Sequence, residues 1–94
     1  MIIGSCVIHL YLPGTVSLKD KRHRIKPLLH KLRRRFEVAA AEVDKQDVWQ
    51  SADIAIVTVT NDIGLAHSLL EKAVHWIEED YYDAQVLDWQ IEVW

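Results

Sequence analysis

The hydrophobic period of this chain alternates between two and 3.6 residues in six successive segments, and that order admits few folds. Ile2 to Leu12 reads as a strand, with Ile2, Cys6, Ile8, Leu10 and Leu12 on one face and Ser5, His9 and Tyr11 on the other. Pro13-Gly14 ends it. Ser17 is placed to cap a helix, with Asp20 three residues on to close an acidic variant of the capping box. Leu18 to about Arg35 is that helix, and Leu18, Ile25, Leu28, Leu29, Leu32 and Phe36 fall in one arc wide enough to face a sheet. Pro27 lies opposite the arc, where a proline bends a helix around the core it packs on, so one kinked helix is expected rather than two.

Phe36 to Val43 reads as a second strand and Ala52 to Thr60 as a third, joined by the polar loop Asp44 to Ser51. The third is apolar on both faces, which places it centrally in a sheet. Asn61-Asp62 caps a second helix, Ile63 to about Asp80, with Ala66, Leu69, Leu70, Ala73, Val74 and Ile77 at helical spacing. Its acidic end, Glu78-Glu79-Asp80, opposes the helix dipole and is expected to fray. Ala84 to Trp94 closes the chain as an edge strand, alternating Leu87, Trp89, Ile91 and Val93 with Asp88, Gln90 and Glu92.

The resulting order, βαββαβ, predicts an α+β, ferredoxin-like domain: a four-stranded antiparallel sheet with both helices on one face. At 94 residues, with 50% apolar side chains and no linker or repeat, residues 1–94 form a single domain. The opposite sheet face is then uncovered and partly apolar through Ala55, Val57 and Val59, which predicts a homodimer or larger homo-oligomer. One cysteine excludes an internal disulfide, the N-terminal stretch has no basic leader, and no segment approaches the length of a membrane span. A cytoplasmic protein with no membrane partner is expected.

Charge is sorted along the chain. Nine of the eleven Lys and Arg residues lie between Lys19 and Arg35 with Asp20 as the only acid, so that segment carries +8 within a chain of net charge −3. Residues 36–94 carry −11. On the helical wheel Lys19, Arg22, Lys26 and Arg33 form one flank near His23 and His30, Arg24, Lys31 and Arg35 form the other, and Arg34 points outward beside Pro27. Such a surface fits the phosphates of RNA or a ribonucleoprotein, where each contact releases counterions. The alternative is a solvated face paired with acids of its own body or of a neighbouring subunit. Lys21 falls inside the apolar arc and is expected to run along the core rather than join the patch.

In the loop, Trp49 is a candidate to stack on a base, with Asp47, Gln46 and Gln50 as polar contacts. A tryptophan packed on its own domain beside a turn-capping Asp is the structural alternative. His67, Glu71 and His75 share a helix face but lack a second ligand cluster, and Cys6 points into the core with no neighbouring base. No glycine-rich phosphate loop or nucleophile elbow is present, so no catalytic residue, metal or cofactor is assigned. Recognition of RNA on the sheet face is disfavoured, because the third strand carries no aromatic to accompany Tyr11 and His9.

At PGTVSLKDKR (13–22), AEVDKQDVWQ (41–50) and TND (60–62) the chain resembles the YlxP-like family of small bacterial proteins, and the likeness runs over essentially its whole length. The resemblance implies a ferredoxin-like domain without established activity or catalytic residues. Genes of that family often neighbour those for a translation initiation factor and ribosome-binding factor A, which implies by association a role near the ribosome or RNA.

Overall fold

A computed structural model describes residues 1–94. The elements are β1 (Ile2–Tyr11), α1 (Leu18–Phe36), β2 (Ala39–Asp44), β3 (Ser51–Thr60), α2 (Ile63–Asp80) and β4 (Gln85–Val93). All strand pairs are antiparallel and the sheet order is β2-β3-β1-β4, so both central strands are those with the longest apolar runs. This is the split βαβ arrangement that the hydrophobic periods predict, with two helices packed on the sheet.

The helix starts follow their caps. Asp20 N–H donates to Ser17 Oγ at 3.0 Å, and the Asp20 carboxylate reaches back to Val16 N–H at 3.3 Å, one residue earlier than a standard capping box. Asp62 Oδ1 accepts from the N–H groups of Gly64 and Leu65 at 2.8 and 3.2 Å. Between sheet and helices lie Cys6, Ile8 and Leu10 of β1, Ile54 and Ile56 of β3, Leu28 and Leu32 of α1, and Leu70, Val74 and Ile77 of α2, all essentially inaccessible. Each large side chain among them stabilises the fold by roughly 1.5–3 kcal/mol. Gly4 lets α2 close on β1: a Cβ there would stand 3.2 Å from both Ala66 Cβ and Leu70 Cδ1.

The structure corrects the sequence reading at three places. Phe36 belongs to α1, not β2, because its ring packs edge-on against Trp76 of α2 at 6.1 Å; the helix then ends at Glu37 in the left-handed conformation (φ 53°) and β2 begins at Ala39. Leu87 is 62% exposed, since a register shift beside His9 and Leu10 pairs Leu10 with Val86 and throws Leu87 outward. The acidic end of α2 does not fray: Tyr81 N–H donates to Ile77 C=O at 3.2 Å and the buried Tyr81 ring packs on Trp76. As expected, α1 is one helix through Pro27, which faces solvent and leaves the His23 carbonyl without its helical donor.

Candidate nucleic-acid interface

An unbroken α1 puts its bases on a single rod. Arg22, Lys26, His30 and Arg34 recur every fourth residue and form one exposed row, rising about 6 Å per step and about 18 Å in all. Lys19, His23, Lys31 and Arg35 form the adjoining row, interrupted by Pro27. Of the nine bases between positions 19 and 35, only Lys21 and Arg24 have a carboxylate within 4.0 Å. The outer face of α1 is therefore cationic and largely without acidic partners in its own chain.

Not every candidate base points to a ligand. Arg24 lies 3.6 Å from Asp20 and donates to the Pro13 carbonyl, and Arg33 donates from Nε and Nη2 to the Ala40 carbonyl at 3.2 and 2.6 Å. These two arginines tie α1 to the β1–α1 loop and to β2. Lys31 Nζ stands 5.5 Å from the centre of the Tyr81 ring and Arg35 Cζ 5.8 Å from that of Trp76. Those contacts orient the two side chains while leaving their charges exposed beside His30, Arg34 and Asp80, around a groove of about 560 Å³ between α1 and α2.

Lys21 behaves as its place in the apolar arc predicts. Its side chain is 3% exposed, and Nζ donates to the Lys45 carbonyl at 2.6 Å and lies 2.7 Å from Glu42 Oε2. The second contact is a buried ion pair, in which the Lys21 ammonium is the partner of a Glu42 Oε2 that has no other. Sequence reasoning found Lys21 but not Glu42, which lies 21 residues away in the chain and meets it only when β2 packs under α1.

The loop candidates divide. Asp47, with Gln46, lines a cleft of about 310 Å³ together with Arg22 and Lys26, so the structure brings this carboxylate to the basic face. Gln50 is instead tied to the start of α1's approach: its backbone carbonyl accepts from Leu12 N–H at 2.9 Å and its amide lies 3.5 Å from the Thr15 carbonyl. Trp49 is 51% exposed and lines neither basic groove.

Two further clusters lie elsewhere. On the open sheet face His9 Nδ1 is 2.7 Å from Asp53 Oδ1, with Lys45 Nζ 3.6 Å from the same oxygen. Asp53 is buried, and was missed in the sequence because its partners come from β1 and the β2–β3 loop. On α2, His75 pairs with Glu78 at 3.0 Å and its ring meets Trp89 edge-on, while His67 and Glu71 are exposed without such contacts. The Cys6 thiol is fully buried, and burial pushes its pKa up to about 11, so it is protonated at neutral pH.

A family model described as "Protein of unknown function (DUF503)" matches residues 3–91. Among curated proteins, the "Uncharacterized protein YlxP" of Bacillus subtilis (strain 168) is 29% identical over 75 residues, covering 80% of this chain and 79% of that protein. Among solved structures, acylphosphatase from Bacillus subtilis superposes with a TM-score of 0.55 at 11% identity, over all of this chain and 86% of the other. At that identity the likeness is one of fold.

Proposed function

We propose that this chain, which belongs to the DUF503 family of proteins of unknown function, is a binding module that holds RNA, alone or in a ribonucleoprotein, on the outer face of α1. The observation that carries the reading is the absence of carboxylate partners along Lys19, Arg22, Lys26, Lys31, Arg34 and Arg35 in a chain that is acidic overall. Like charges three and four residues apart destabilise a helix by about 0.2–0.5 kcal/mol per pair, so the rows work against folding and are accounted for by an external anion. Arg22 and Lys26, one turn and about 6 Å apart, suit successive phosphates of one strand, and Arg34, about 12 Å further on, suits a phosphate two steps along. No helix is long and apolar enough to cross a membrane.

Two reactive side chains are held within the fold. Cys6 is buried and protonated, and His9 is paired through Nδ1 with Asp53. A second reading concerns the open sheet face, where Ile3 lies opposite Val59, Val7 opposite Ala55, and Ala39 and Ala41 opposite Val57 and Ala55. That apolar strip supports a homodimer or larger homo-oligomer formed through the sheet, leaving α1 outward on each copy.

Charge reversal separates the two surfaces. In an anisotropy titration with labelled single-stranded RNA, the double variant Arg22→Glu/Arg34→Glu is expected to bind at least about tenfold more weakly, with its oligomer mass unchanged. Unchanged RNA affinity together with an altered mass would assign α1 to contacts between protein copies instead.

A further inference from the structure

Both cationic rows of α1 end in the same place. His30 and Arg34, the last members of one row, and Lys31 and Arg35, the last of the other, line the groove of about 560 Å³ between α1 and α2, with Trp76 and Asp80 on its α2 side. None of the four has a carboxylate within 4.0 Å, that of Asp80 included. Two of them are also held in place. The Lys31 ammonium rests 5.5 Å from the centre of the Tyr81 ring and the Arg35 guanidinium 5.8 Å from that of Trp76. Those rings are themselves fixed, Tyr81 by burial and by its hydroxyl donating to the Arg24 carbonyl at 2.6 Å, and Trp76 by the Phe36 ring edge-on at 6.1 Å. Side chains already ordered lose less freedom when an anion arrives. The dipole of α1 accounts for a base in its last turn, such as Arg34 or Arg35, but not for Lys31 a turn earlier. With His30 neutral, Lys31, Arg34 and Arg35 against Asp80 leave the groove at +2. A phosphate inside a strand brings one negative charge and two free oxygens, whereas a phosphomonoester brings about −1.5 to −2 at pH 7 and three.

We infer that this groove binds a terminal phosphate, the phosphomonoester at one end of a strand whose internal phosphates lie along α1. For the strand this rests on the RNA reading above, and for its end on the groove. A strand that follows Arg22 and Lys26 arrives at Arg34 about 18 Å from its first contact, where the bases are gathered from two rows instead of strung along one. Guanidinium groups such as those of Arg34 and Arg35 pair their N–H donors with phosphate oxygens, and the Lys31 ammonium adds a point charge. Asp80 holds the net charge at what one phosphomonoester neutralises. A free nucleoside monophosphate carries the same group, but it has no further phosphate for Arg22 and Lys26 and so binds less tightly than the strand.

The test uses three oligouridylates of about eight nucleotides, phosphorylated at the 5′ end, at the 3′ end or at neither, as competitors of a labelled strand at one salt concentration. A phosphate at one end is expected to tighten binding about tenfold over the hydroxyl-ended strand, and that end gives the polarity of the strand on α1. Lys31→Gln/Arg35→Gln is expected to bring the ratio of the two affinities close to one. Arg22→Gln/Lys26→Gln is expected to weaken both strands and keep the ratio. In the wild-type protein the Trp76 indole N–H signal is expected to move with the end-phosphorylated strand and to stay in place with the hydroxyl-ended one, a readout that needs no variant to fold. Uridine monophosphate alone is expected to bind at least about tenfold more weakly than the phosphorylated strand. Equal affinity for the three strands would overturn the groove site while leaving the interface along α1 standing. A gain lost equally in both double variants would overturn it too, as diffuse attraction, and uridine monophosphate binding as tightly as the strand would give the groove to free nucleotides instead. Failure of every strand to bind would remove the interface and the groove together.

Discussion

The Cys6 thiol lies in the centre of the core, and burial raises its pKa from 9.0 to about 11 against a smaller lowering by a backbone hydrogen bond at Gln90. Below pH 9 folded and unfolded chains both hold the proton, so the group leaves stability unchanged there. Between about pH 9 and 11 the unfolded chain releases the proton while the folded one keeps it, and stability falls as pH rises, by on the order of 2–3 kcal/mol over the window. Tyr81, raised first by burial and then by Asp83, adds a loss of the same sign above pH 10. Urea midpoints measured from pH 8 upward should show the decline, and Cys6→Ala should flatten its first part. Lys21 and Glu42 give a second residue-scale expectation. Removing the carboxylate leaves a buried ammonium with one hydrogen bond, so Glu42→Ala should cost about 3 kcal/mol in urea unfolding. Lys21→Met/Glu42→Leu, which removes both charges, should restore most of that loss.

At the scale of elements, α1 carries a penalty at Pro27. Pro27 faces solvent and leaves the His23 carbonyl without its helical donor, so Pro27→Ala should stabilise the fold by about 1–3 kcal/mol after the greater freedom of the unfolded chain is counted. A higher melting temperature with an unchanged amide spectrum outside α1 would confirm it; an unchanged or lower one would mean that proline at this position fits the packed helix as well as alanine does. The element boundaries also show what a sequence conveys. Helix starts were legible because Ser17 and Asp62 are side-chain caps with a local chemical signature. The end of α1 was not, because Glu37 adopts the left-handed conformation that glycine usually marks, and Phe36 suits a strand as well as a helix until Trp76 is in place beside it. The outward turn of Leu87 follows from pairing with β1, which no window of β4 alone contains. The same distinction runs through the interface: the bases were legible as a helical run, whereas the retirement of Arg24 and Arg33 onto the Pro13 and Ala40 carbonyls depends on where α1 rests.

For the whole molecule, the fold separates two surfaces of opposite character. The helices turn a row of unpartnered cations outward, and the far side of the sheet presents Ile3, Val7, Ala39, Ala41, Ala55, Val57 and Val59. If a second copy covers that strip, sedimentation should give at least twice the chain mass of 10.9 kDa, and Val57→Glu should return the protein to the monomer with its circular dichroism unchanged. RNA affinity per chain should survive that change, because α1 lies on the other face. The most direct test of the account is the salt dependence of single-stranded RNA binding by the wild-type protein. Contacts from Lys19, Arg22, Lys26 and Arg34 to four phosphates predict a log–log slope of about −3. A slope near zero, or no binding at the lowest salt, would contradict the assignment of α1 as a nucleic-acid surface.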